Sequence, residues 1–240
     1  MLTEVCVTSI ASIKNATAAG ADRVELCSAL GVGGVTPSYG LIKRAVSLNA
    51  LPIHCLIRPR EGHFTYSPEE VAIIEQDIIV AKDLGCSGVV IGALTPEFHL
   101  DLVRLEKWRA IAGSMYLTFH RAFDVVREPM SALKQLIELG FDCVLSSGQK
   151  EKAEEGFSKL EIWNKTFCNQ IAIMPGSGIN SSNCSRFKEA GFKALHFSGS
   201  MALESITIPK EVNESMSFLH QEILESNPTN LKNIIQRLKD

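Results

Sequence analysis

The sequence predicts an α/β fold, a TIM-type (β/α)8 barrel of parallel strands, and three observations carry that prediction. Eight short β-branched runs recur along the chain. Most intervals between them hold an amphipathic segment long enough for a crossover helix. One phrase that closes a helix and opens a strand returns four times at the same phase: Ala19-Gly20-Ala21-Asp22, Leu84-Gly85-Cys86-Ser87, Leu139-Gly140-Phe141-Asp142 and Ala190-Gly191-Phe192-Lys193. Each glycine suits the position just past a helix, where φ is positive. A device reused in this way points to one unit copied round a ring. No GxGxxG follows the first run to support a doubly wound open sheet.

The strands are expected, in order, at Glu4 to Thr8, Arg23 to Cys27, Pro52 to Arg58, Gly88 to Gly92, Tyr116 to Arg121, Cys143 to Ser147, Ile171 to Pro175 and Ala194 to Ser198. Helices such as Pro68 to Leu84 and Met130 to Leu139 alternate with them. After the eighth strand, residues 209–240 read as two helical pieces parted at Asn227-Pro228. Met216, Leu219 and Ile223 mark the first, which would close the ring. Leu231, Ile234, Ile235 and Leu238 mark an extra C-terminal helix that packs on the barrel or on another subunit of a homo-oligomer. A chain of 240 residues is an ordinary length for one such barrel, so residues 1–240 are expected to form a single domain.

Composition narrows the function. With 45% hydrophobic and 21% charged residues the chain can bury a large core. A formal net charge of -3 without any Lys/Arg run argues against nucleic acid as a partner. No apolar run approaches the ~18 residues a bilayer requires, and strand-like Leu2 to Thr8 follows Met1 with no leader pattern. Seven cysteines, an odd number without a CxxC pair, are expected as free thiols in a reducing cytoplasm.

Alternate strand residues face opposite sides. With Val5, Val7, Val24 and Leu26 turned to the helices, Glu4, Cys6, Glu25 and Cys27 face the barrel axis. The same parity sends His54, Leu56 and Arg58, then Thr118 and His120, then His196 and Ser198 inward, with Asp124 in the loop after the fifth strand. Arg58 is expected to meet the two carboxylates. Ionisable groups gathered at strand ends mark a site, because an apolar interior has no use for them. Glu25 with Arg58, or Asp124 with Arg121, also read as ion pairs that set strand register. Cys55, Cys86, Cys143, Cys168 and Cys184 are assigned to outward faces or helices, as small hydrophobes.

The motifs Glu4-Val5-Cys6-Val7, Gly20 to Ser28 (GADRVELCS), Gly33-Gly34-Val35-Thr36-Pro37-Ser38, Ile57-Arg58-Pro59-Arg60, Thr118-Phe119-His120-Arg121-Ala122-Phe123-Asp124, Ser147-Gly148-Gln149 and Met174-Pro175-Gly176 accompany this arrangement. With them the chain resembles CutC, the copper homeostasis protein family, from about Leu2 to Ser198. The resemblance implies a TIM barrel, a cytoplasmic protein linked to copper handling, and Cys6 and Cys27 at the positions proposed to bind copper. Soft thiolates suit Cu(I). No organic cofactor is expected. The chain departs from the family pattern at Thr8, at Arg60-Glu61-Gly62-His63-Phe64, at Pro175-Gly176-Ser177-Gly178 and across residues 199–210.

An enzyme is the alternative. Gly176, Ser177 and Gly178 after the seventh strand, and Ser198 after the eighth, occupy places where many barrels cradle a phosphate. Arg58 or Arg60 would then hold an anionic group while Glu25 or His120 moves a proton, with Asp124 nearby. That describes a lyase or isomerase acting on a small phosphorylated or carboxylated metabolite. No lysine points inward at a strand end, which disfavours Schiff-base chemistry.

Overall fold

The computed structural model of the chain describes residues 1–204, 206–213 and 215–240. Eight strands alternate with helices: β1 (Leu2–Val7), α1 (Ile10–Ala19), β2 (Arg23–Leu26), α2 (Tyr39–Ser47), β3 (Ile53–Leu56), α3 (Pro68–Asp83), β4 (Gly88–Ile91), α4 (Leu102–Ala112), β5 (Tyr116–Phe119), α5 (Pro129–Glu138), β6 (Cys143–Ser146), α6 (Phe157–Phe167), β7 (Ala172–Pro175), α7 (Cys184–Glu189) and β8 (Ala194–Phe197). All pair in parallel, in the order β7-β6-β5-β4-β3-β2-β1-β8. This is the TIM-type barrel, nearly closed, with its seam between β7 and β8.

Local chemistry explains where the helices begin and end. The Ser12 N–H donates to Ser9 Oγ at 3.0 Å and opens α1. At α3, Ser67 and Glu70 cap each other's backbone N–H groups, with Pro68 just inside the helix. The recurrent Gly20, Gly85, Gly140 and Gly191 all have φ between 74° and 89°, the left-handed turn a side chain resists. Between sheet and helices, Val5, Val7, Val24, Leu26, Val89 and Ile91 pack against Ile13, Ile74, Leu105 and Trp108. Among the described residues no helix is long and apolar enough to cross a membrane.

The C-terminal region differs from expectation. Among the described residues of 209–226 there is no α-helix: Ser217–His220 makes one 3-10 turn, and β10 (Leu224–Ser226) pairs antiparallel with β9 (Ser200–Ala202). Met216 and Ile223, expected on a buried face, are 40% and 69% exposed. The ring is closed instead by α8 (Pro228–Lys239), capped by Asn227, which buries Leu231, Ile234, Ile235 and Leu238 beside α1 and α7. Four buried aliphatic side chains contribute roughly 6–12 kcal/mol of gross apolar burial. The slot holds one helix, and of the three apolar residues of the preceding segment only Leu219 is partly buried.

Candidate metal and ligand site at the barrel mouth

Inward side chains stack in tiers. At the lower tier, Glu4 is the direct neighbour of both Arg23 on β2 and His196 on β8. Arg23 Nε donates to Glu4 Oε2 at 2.5 Å, His196 Nδ1 lies 2.8 Å from Oε1, and His54 Nδ1 stands 3.8 Å away. Burial pushes the Glu4 carboxyl up, but the His196 hydrogen bond and the Arg23 charge outweigh it and bring its pKa to about 2. With Glu4 ionised, His196 donates through Nδ1, and its Nε2 is left as the free end of the ring.

Above this tier the two thiols meet. Cys6 Sγ lies 3.6 Å from Cys27 Sγ and 3.7 Å from Glu25 Oε1, and both cysteines are free and buried. The hydrogen bond with Cys27, and then burial, push the Cys6 thiol well up. Burial likewise raises Glu25 to about 7, and its Oε2 has no partner. Cys6, Glu25 and His196 each offer one ligand atom, all within 4.8 Å of one another.

These groups form the floor of a cavity of about 470 Å³ that opens at the carboxyl ends of the strands, with Arg58 and His120 higher in its wall. Arg58 does not meet the carboxylates as expected. Its Nη1 donates to the Val32 and Gly34 carbonyls and its Nη2 to that of Gly62, while Arg23 is the cation beside Glu4. The loop after β2 curls over Arg58 and presents carbonyl oxygens that residue spacing does not reveal. His120 Nδ1 accepts the Ala122 N–H at 3.2 Å, so the proton sits on Nε2, which has no partner. Burial, and then the Arg58 charge, lower His120 to about 3.

The other expected site residues spread out. Asp124 lies at the rim with its oxygens occupied by Arg121 Nε at 2.8 Å, Ser146 Oγ at 2.5 Å, and the N–H groups of Ser147 and Gln149 at 2.9 and 3.1 Å. It ties the β5 and β6 loops together. Arg60 lies outside the cavity wall, bonded to Glu70 at 2.5 Å and to the carbonyls of Glu61, His63 and Thr65. Ser177, Gly178 and Ser198 line the rim, with Ser177 Oγ donating to the Glu151 carbonyl. Gly176 lies deeper, where a Cβ would meet Leu145 Cδ1 at 2.6 Å. Cys143, assigned outward, instead faces the interior with Leu145, Met174 and Ala194, because Val144 takes the outward position in β6. His196 as a ligand candidate, and Arg23 as the partner of Glu4, are what sequence reasoning missed. The available signal was the ring itself, which sets β8 beside β1 and brings Glu4 and His196 to one height.

The CutC family model matches residues 1–201. A CutC family protein of Pasteurella multocida is 48% identical over 200 residues, covering 83% of this chain and 82% of that protein. One from Bacteroides thetaiotaomicron is 40% identical over 241 residues, covering 98% and 96%. A crystal structure described as a candidate copper homeostasis protein CutC from Streptococcus agalactiae matches with a TM-score of 0.79 at 33% identity, covering 82% of this chain and 98% of that one. An aldolase, QR15, matches with a TM-score of 0.62 at 13% identity over 82% of this chain and 89% of that one, a likeness of fold alone.

Proposed function

This chain belongs to the CutC family, a copper homeostasis family, and from that premise we propose that it binds copper directly, as Cu(I) held by Cys6 and Cys27 with His196 and Glu25 beside them. The observation that carries this reading is the pair of reduced thiols 3.6 Å apart in a buried cavity. Soft thiolates favour Cu(I) over the harder divalent ions.

The spacing also bears on coordination number. With metal–sulfur bonds of about 2.3 Å, sulfurs 3.6 Å apart subtend about 100° at the metal. That angle suits three or four ligands and falls far short of a linear pair. His196 and Glu25 are the donors at hand beside Cys6, and Cys27 joins them through its contact with Cys6. The Glu4–His196 hydrogen bond supplies the orienting carboxylate that metal-bound histidines commonly have. Binding would release thiol protons, so affinity rises with pH. Free cysteines fit a reducing compartment, and we place the protein in the cytoplasm.

The test is a Cu(I) titration of reduced protein against a chromogenic chelator. Wild type is expected to withdraw copper, Cys6→Ser/Cys27→Ser to lose that ability, and Glu4→Gln to bind roughly 10–100-fold more weakly. Unchanged competition by the double serine protein would overturn the reading.

A further inference from the structure

We propose that the mouth of the same cavity binds a small organic carboxylate with a short apolar body, held by Arg58 and His120. The proposal goes beyond the copper reading and uses different residues. A metal ion fills only a corner of about 470 Å³, a volume in the range of small-molecule pockets. What the remainder contains decides what it would take.

Arg58 is 6% exposed, yet no carboxylate among the described residues pairs with it. Three of its five N–H groups go to carbonyl oxygens, which carry no net charge, and its Nε–H has no partner. A buried cation without a counter-ion is costly, and an anion relieves that cost. His120, 4% exposed, adds a second orphan donor at Nε2. Phe64 lies over both groups, its ring centroid 5.1 Å from Arg58 Cζ and 4.9 Å from the His120 ring. Both donors are buried beneath this ring, so binding requires Phe64 to turn aside.

The walls select the rest of the ligand. Leu30 and Ile179 line the cavity, and Val32 and Val125 stand at its mouth 44% and 46% exposed. Such surfaces favour a hydrocarbon body over a bare inorganic anion.

The experiment titrates butyrate and, separately, inorganic phosphate into reduced, metal-free protein, followed by calorimetry. Butyrate is expected to bind wild type with a Kd on the order of 1 mM, more tightly than phosphate. Arg58→Gln should weaken butyrate at least tenfold, His120→Phe several-fold, and Cys6→Ser/Cys27→Ser less than twofold. His120→Phe keeps the test decisive if Arg58→Gln fails to fold. Equal butyrate affinity in wild type and both variants, preference for phosphate, or no butyrate binding at 20 mM would each overturn the proposal. Copper uptake without butyrate binding removes this inference alone, and butyrate binding without copper uptake removes only the copper reading.

Discussion

Replacing Glu4 by Gln should be among the most damaging conservative changes in this protein, and its cost can be reached by two routes. Glu4 is fully buried and neutralises Arg23, itself 5% exposed. Removing one member of a buried pair strands the other and typically costs about 3–5 kcal/mol. Independently, the Glu4 carboxyl falls from its ordinary 4.5 to about 2 on folding. At about 1.4 kcal/mol per pH unit this gives about 3 kcal/mol at neutral pH. At about 2–4 °C per kcal/mol, Tm should drop by roughly 10 °C. Because the folded value is the depressed one, this stability is present above pH 4.5 and is lost as pH falls through 2. Wild type and Glu4→Gln should therefore differ by about 3 kcal/mol in urea denaturation at pH 7 and converge on acidification through that window. Glu4→Gln/Arg23→Met, which removes both charges, should recover much of the loss. A single variant within about 1 kcal/mol of wild type at pH 7, or a gap that does not close in acid, would refute the reasoning.

Three other outcomes are expected. His120 is held near 3 against an ordinary 6.5, so the unfolded chain takes up a proton that the folded one refuses. Each pH unit below 6.5 then costs about 1.4 kcal/mol, and His120→Phe should show a correspondingly shallower loss of stability between pH 6.5 and 4. Gly34→Ala places a methyl 2.7 Å from Leu56 Cδ2 at a residue with φ of 82°, a combination expected to lower stability by about 1–3 kcal/mol in urea melts. Cys168 is half-buried and the other six cysteines are buried, so native protein should show one fast-alkylating thiol by mass spectrometry, absent in Cys168→Ser. Comparable labelling of Cys6 or Cys27 would contradict the burial described.

Much of the barrel is legible because strand parity is a local property: knowing that Val5 and Val24 face out places Glu4, Cys6, Glu25 and Cys27 within. What parity cannot supply is which inward groups touch. Arg23 shares the inward parity of Glu25 and Cys27, but parity does not say that it, rather than Arg58, is the cation at Glu4. Arg58 was legible as inward-facing, but the carbonyls that hold it come from loop backbone, which carries no side-chain signature. Cys143 shows that parity must be followed even where residue type suggests an outward hydrophobe. Helical spacing misled at Met216, Leu219 and Ile223, since three apolar residues specify a helix only if a surface remains for them to cover. His196 needed the closed ring, a global property, before its position beside Glu4 could be read.

The pairing of β1 with β8 also sets the order of events during synthesis. Glu4 and His196 are 192 residues apart in the chain. At translation rates of about 5–20 residues per second, β1 leaves the ribosome about 10–40 s before its second neighbour exists. Throughout that interval one edge of β1 is open to other chains. The cluster of Cys6, Glu25 and His196 is incomplete on any nascent chain in which β8 is unmade, so a metal that uses His196 can be loaded only after translation has passed that strand.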